Sequence, residues 1–198
     1  MLAAILQAHW LGWRLRACVV PLGASTSLAT LGHVRAALEL QEQVRAGVLP
    51  EPHRIYLPFA TGGSVAGLLI GLALSGAKTR VVAVRTVEGL IANRRRLARL
   101  VKRTLELLGF GRWDLERSLQ RLELIDDAHL GRGYRNVTET TANAVAVAAC
   151  HGLRLEPVFS GKAFASLLQA LPAFADGELL FWNTHDHHDE PSGVGAMR

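Results

Sequence analysis

The side chains best able to do chemistry stand together in one short stretch, Thr61-Gly62-Gly63-Ser64. An apolar run that reads as a strand precedes it, and an almost wholly apolar run that reads as a helix follows it. Backbone N–H groups at a helix start have no intrahelical partner and carry partial positive charge. Glycines let such a turn approach an anion closely, and the Ser64 hydroxyl can cap the helix or donate to a phosphate oxygen. By itself the stretch fits a phosphate site, and equally a turn that is glycine-rich because it is tight. The dinucleotide pattern G-x-G-x-x-G is poorly met, because Ser64 holds its middle glycine position. No Asp or Glu ends the next strand to take a ribose hydroxyl. Arg85 stands there, which suits a 2′-phosphate, so an NADP-binding Rossmann-like protein is an alternative reading. The Walker pattern fails, since no Gly-Lys-Ser/Thr follows the glycines.

The elements that must position this turn alternate along the chain. Strand patterns fall at 17–21, 54–59, 79–85, 122–125 and 178–184, and residues 156–159 read as extended. Pro58 is awkward inside a strand and is placed at the end of its own. Helix patterns fall at 28–46, 65–75, 93–108, 114–120, 138–151 and 161–170. In the first, Leu31, Val34, Leu38 and Val44 lie near one face. In the basic helix 93–108, Leu97, Leu100, Val101, Thr104 and Leu108 form an apolar stripe, and Arg95, Arg96, Arg99, Lys102 and Arg103 occupy the remainder. A strand, a helix and a strand in succession mark a parallel sheet. The expected fold class is α/β, a parallel-rich sheet with helices on both faces.

With 198 residues and 49% hydrophobic content, the chain can bury a real core as one domain or a compact pair; the reading taken is a single domain over 1–198. The net charge of +5 is mostly local to the basic helix. That helix lacks interleaved aromatics and is explained by its apolar stripe, so no nucleic-acid partner is assigned. Cys18 and Cys150 form no disulfide framework and read as buried free thiols of a reducing compartment. The apolar start, 1–13, has neither a positive n-region nor a convincing cleavage site. The longest apolar run, 65–77, is shorter than the roughly 20 residues of a membrane span. The chain therefore reads as cytoplasmic, with no membrane partner. Thr184-His185-Asp186-His187-His188-Asp189 has ligand chemistry for a transition metal, but few apolar neighbours. It is read as the start of a solvated, flexible tail (187–198), with no metal. No Ser-His-Asp or Cys-His arrangement has motif support.

Several pieces, in order, resemble the D-cysteine desulfhydrase and 1-aminocyclopropane-1-carboxylate (ACC) deaminase family. These are pyridoxal-phosphate (PLP) enzymes with the tryptophan-synthase-β type of fold. The pieces are Val20-Pro21-Leu22-Gly23-Ala24-Ser25 with Leu31-Gly32-His33-Val34; the loop from Thr61 to Gly67; Gly131-Arg132-Gly133-Tyr134; Glu156-Pro157-Val158-Phe159-Ser160-Gly161-Lys162-Ala163; and Leu179-Leu180-Phe181-Trp182-Asn183-Thr184. The resemblance covers nearly all of this chain and only the later part of a family member, mainly its large domain. It implies PLP as cofactor, its phosphate held by Ala60, Thr61, Gly62, Gly63 and Ser64. It implies Thr184, with Ser160 nearby, beside the pyridine nitrogen. A neutral hydroxyl there leaves the ring unprotonated and a weaker electron sink. It implies Tyr134 as a tyrosine of the substrate pocket, and a small amino acid as substrate, eliminated or deaminated to a keto acid and ammonia.

The departures bear on that expectation. Phe159 stands where the family usually has an active-site tyrosine, and a phenyl ring cannot transfer a proton. Asn183 replaces a frequent histidine, and His185-Asp186 replace a Gly-Gly pair. The substrate is therefore expected to differ from those of both named members. The family also needs a lysine bonded to the cofactor aldehyde, and carries it upstream in an Asn-Lys context. The three lysines here, Lys78, Lys102 and Lys162, match none of that. The chain is read as a fragment whose Met1 is an internal or misassigned start. The other readings are a split enzyme whose lysine a second chain supplies, and a non-catalytic remnant. A homodimer is compatible with each.

Overall fold

The computed structural model describes residues 20–126, 129–174 and 177–184. Four strands form one sheet: β1 (Arg54–Phe59), β2 (Arg80–Arg85), β3 (Leu122–Ile125) and β4 (Leu179–Phe181), in the order β3-β2-β1-β4. Every adjacent pair is parallel. Among the described residues six α-helices connect and cover them: α1 (Ser27–Arg45), α2 (Gly63–Ser75), α3 (Arg94–Leu107), α4 (Arg112–Leu119), α5 (Glu139–Cys150) and α6 (Ser160–Ala170).

The two-residue alternation of the central strands sorts the core into two layers. Ile55, Leu57, Phe59, Val81 and Ala83 face one side, where they pack with α1, α2 and α3. Tyr56, Val82 and Val84 face the other, against Ala163, Phe164 and Leu167 of α6. Helices thus cover both faces, as the sequence predicts, and the near-continuous apolar strands are explained by burial on both sides. Helix α2 is the centre of the first layer: every residue from Val65 to Ala73 is buried.

Pro58 lies inside β1, paired with Val84, instead of at its end. Tyr56 O accepts from Trp182 N, and alternation turns the Pro58 nitrogen to that same side. There β4 has already ended, its last partner being Tyr56, so the missing N–H leaves no ladder bond unmade.

Several expectations are corrected. Of the expected strand 17–21, only Val20 and Pro21 are described, and neither is in a strand; a short 3₁₀ turn, Leu22–Ala24, follows. Residues 157–159 form a turn, because the Glu156 carboxylate folds back to accept from the N–H groups of Val158, Phe159 and Ser160. The buried face of α1 is Thr30, Val34, Ala37, Leu40 and Gln41, which sets small residues against the glycines of α2. Leu105, not Leu108, continues the buried stripe of α3. Cys150 is exposed, because the buried face of α5 is Thr141, Ala144 and Ala148. Cys18, the residues 1–13 and the residues 185–198 lie outside the described ones. Among the described residues no helix is long and apolar enough to cross a membrane, and no cluster of His, Cys, Asp and Glu could hold a metal.

Candidate functional site

Strand order reverses between β1 and β4: the chain runs outward from β1 through β2 to β3, and β4 then joins the opposite side of β1. In open parallel sheets the crevice outside the carboxyl ends of two such strands is where ligands bind. A cavity of about 710 Å³ lies there. Its walls include Ala60, Thr61, Gly62, Gly63 and Ser64 after β1, Thr184 after β4, and Ser160 at the start of α6. Seven of the residues singled out from the sequence thus meet in one place.

The turn before α2 leaves its backbone donors open. Gly62 sits at φ +94°, a conformation side-chain-bearing residues rarely adopt. No side chain caps the helix, and its first backbone bond runs from Ala66 N to Gly62 O, so the N–H groups of its first turn face the cavity side without intrahelical partners. Three hydroxyls join them. Ser25 Oγ donates to Thr61 Oγ1 at 2.6 Å, and Ser64 Oγ lies 3.2 Å from His33 Nε2. Burial holds the His33 pKa below its ordinary value, which favours the neutral ring. Glycine is also required at Gly23, at φ +66°, where a Cβ would lie 2.2 Å from Thr61 Oγ1. Glu156, the one carboxylate in the wall among the described residues, is occupied by the three backbone N–H groups at the start of α6. Ser160 is buried, and its hydroxyl donates to Glu156 O at 2.9 Å. These donors, open N–H groups and hydroxyls around a glycine turn, fit a phosphate ester.

Tyr134 is not among the residues lining the cavity. The residue is 37% exposed, and its phenol oxygen accepts from Arg135 Nε at 2.9 Å. Arg85 lies outside the cavity walls as well, ion-paired with Asp126. None of the three lysines lines the cavity. Lys78 is exposed in the turn before β2, Lys102 is exposed on α3 near Glu106, and the fully buried Lys162 donates to Tyr134 O at 2.7 Å.

Sequence reasoning did not place Ser25 or His33 at the site. Both belong to the pieces that carry the family resemblance, but their partners, Thr61 and Ser64, are 36 and 31 residues away in the chain. The signal that was available is the run of small and hydroxyl residues, 23–26, directly ahead of α1.

Comparison with known proteins identifies the family and the fold. The chain is 32% identical over 170 residues to a putative ACC deaminase of Pyrococcus furiosus, covering 84% of this chain and 49% of that protein. It is 30% identical to the nocardicin C-9′ epimerase of Nocardia uniformis (92% and 53%) and to a D-cysteine desulfhydrase of Klebsiella pneumoniae (85% and 50%). A solved structure of an ACC deaminase homologue superposes with a TM-score of 0.70 at 26% identity, over 88% of this chain and 51% of that one. The chain spans about half the length of the curated relatives it matches. The profile described as "Pyridoxal-phosphate dependent enzyme" matches residues 14–184, from ahead of the hydroxyl-rich turn to Thr184. A switch-point cavity with an open glycine turn, inside a sequence that carries this profile over residues 14–184, makes the chain a member of the pyridoxal-phosphate dependent enzyme family.

Proposed function

We propose that this chain forms the cofactor-holding part of a PLP-dependent deaminase or lyase that converts a small amino acid to a keto acid and ammonia. The observation that supports it most is the uncapped start of α2 opening, with Thr61 and Ser64, into the cavity between the ends of β1 and β4. When bound, the cofactor supplies an electron sink for charge developing at the α-carbon of an amino acid.

The chain's own residues would hold it in a definite sense. Ala60, Thr61, Gly62, Gly63 and Ser64 take the phosphate. Thr184 and Ser160 stand on the ring side. The Ser160 hydroxyl already gives its hydrogen to Glu156 O, which leaves it an acceptor. Phe159, in the cavity wall, excludes water and holds no proton. Tyr134, outside the cavity walls, is assigned to the substrate side on the family resemblance alone. The relatives named for ACC and D-cysteine point to a substrate of similar size, and Phe159 points away from a reaction that relies on a second phenol at that wall.

No lysine of this chain is assigned to the covalent bond with the cofactor. Lys162 is committed to a backbone carbonyl, and Lys78 and Lys102 are exposed away from the cavity. The purified chain should therefore bind PLP saturably, and borohydride should fix no stoichiometric adduct. A reduced adduct mapped to one of the three lysines would overturn that assignment. Absence of saturable PLP binding would overturn the cofactor-holding reading itself.

A further inference from the structure

Helices α1 and α2 approach so closely that a Cβ on Gly67 would lie 2.3 Å from His33 Cβ and 2.8 Å from its carbonyl carbon. One turn further along α2, a Cβ on Gly71 would lie 2.5 Å from Ala37 Cβ. This seam of small residues fixes the backbone of His33 against the first turns of α2 and delivers its ring to Ser64, 3.2 Å away. Both residues line the cavity.

We propose that His33 is the positioning residue of the phosphate end of this cavity: its Nε2–H donates to Ser64 Oγ and turns the single Ser64 hydroxyl hydrogen toward the phosphate. The inference rests on the reading of the cavity given above.

The reasoning is a count of hydrogens. A serine hydroxyl has one hydrogen and two lone pairs. A neutral imidazole carries one N–H, and the choice of nitrogen sets the direction of the bond with Ser64. With the hydrogen on Nδ1, Nε2 takes the Ser64 hydrogen, and Ser64 then presents only lone pairs to an anion. With the hydrogen on Nε2, His33 fills one of those lone pairs and the Ser64 O–H is released to donate. An anionic phosphate oxygen therefore selects the second arrangement, and the charge-assisted bond it gains is of the stronger kind. An aromatic ring of similar size without an N–H fills the same space and cannot do this.

The test compares dissociation constants for PLP and for pyridoxal, which lacks the phosphate, in the full chain and its variants. His33→Phe should weaken PLP by about tenfold, the worth of one hydrogen bond to a charged group, and leave pyridoxal unchanged. His33→Gln, whose amide also donates, should restore most of the loss. The double variant His33→Phe with Ser64→Ala should bind PLP no more weakly than Ser64→Ala alone, because His33 acts through Ser64. Unchanged PLP affinity in His33→Phe, equal loss for pyridoxal, or losses that multiply in the double variant would each overturn the proposal. A second readout needs no variant: ¹⁵N spectra of the PLP-saturated chain should show His33 protonated at Nε2, and a ring protonated only at Nδ1 overturns the proposal. If the unmodified chain binds no PLP, the reading of the cavity fails and this inference with it; if it binds PLP and His33→Phe is indifferent, only this inference fails.

Discussion

Lys162 carries its ammonium group into a place from which water is excluded. The residue is fully buried, and its Nζ donates to the carbonyl of Tyr134. Glu88 holds the other side of the same residue, accepting from Tyr134 N at 3.3 Å, so both backbone groups of Tyr134 are pinned by side chains from other elements. Burial pushes the Lys162 pKa below its ordinary 10.5, and Glu156 and Glu88 pull partly against that. The consequence for stability has a definite sign. Because the folded pKa lies below the unfolded one, the unfolded chain binds more protons between the two, and stability rises with pH in the window below 10.5. Lys162→Met keeps the length, removes the donor and abolishes this rise. It should cost about 1–3 kcal/mol at pH 7, the penalty of leaving the carbonyl without its partner. Urea unfolding of both proteins at neutral and alkaline pH measures both effects; a variant as stable as the parent at pH 7, or one that keeps the alkaline rise, contradicts the account. Lys162 also shows what a sequence conceals. Its motif is visible, but its partner is a main-chain atom 28 residues earlier, which no side-chain pattern records.

At the scale of elements, the seam between α1 and α2 separates two glycines that look alike in the sequence. Gly32, exposed in the interior of α1, has nothing within 4 Å of where a Cβ would stand. Gly32→Ala should therefore stabilise the protein by about 0.5–1 kcal/mol through helix propensity. Gly67→Ala drives a methyl group into His33 and the Val34 nitrogen, 2.9 Å away, and should destabilise by about 1–3 kcal/mol by forcing the helices apart. Thermal melts of the two variants should shift in opposite directions, and shifts of the same sign would refute the seam. The alternation of strands and helices, and the burial of α2 on all sides, were legible because period and hydrophobicity are local properties. The orientation of α1 was not. Its larger side chains, Leu31 and Leu38, suggested one face, but the glycines of α2 admit only the smaller neighbours Val34 and Ala37 at closest approach. The turn at 157–159 was hidden for a similar reason: β-type residues there yield to three hydrogen bonds that the Glu156 carboxylate makes at once.

For the molecule as a whole, the site exists only because the sheet is assembled. Thr61 and Thr184 are brought together by the pairing of β1 with β4, and Ser25 reaches Thr61 only when α1 lies on α2. No single segment carries enough of the cavity to bind a cofactor alone, so binding must be linked to global folding. A ligand that binds the folded state alone stabilises it by about 2.7 kcal/mol at one hundred times its dissociation constant. For a domain of this size that corresponds to an increase in Tm of about 5–10 °C. PLP should produce this shift, and pyridoxal a smaller one, since it lacks the group that the glycine turn holds. Helical ellipticity and Trp182 emission should move together: Trp182 stands two residues before Thr184 and packs on the core that contains α2, whereas Trp113 is exposed on α4. NADPH should leave the melt unchanged, since Arg85 is paired with Asp126 and lies outside the cavity. Stabilisation by NADPH and not by PLP would mean that the switch point serves a dinucleotide, and the phosphate turn would then need a different ligand from the one its family uses.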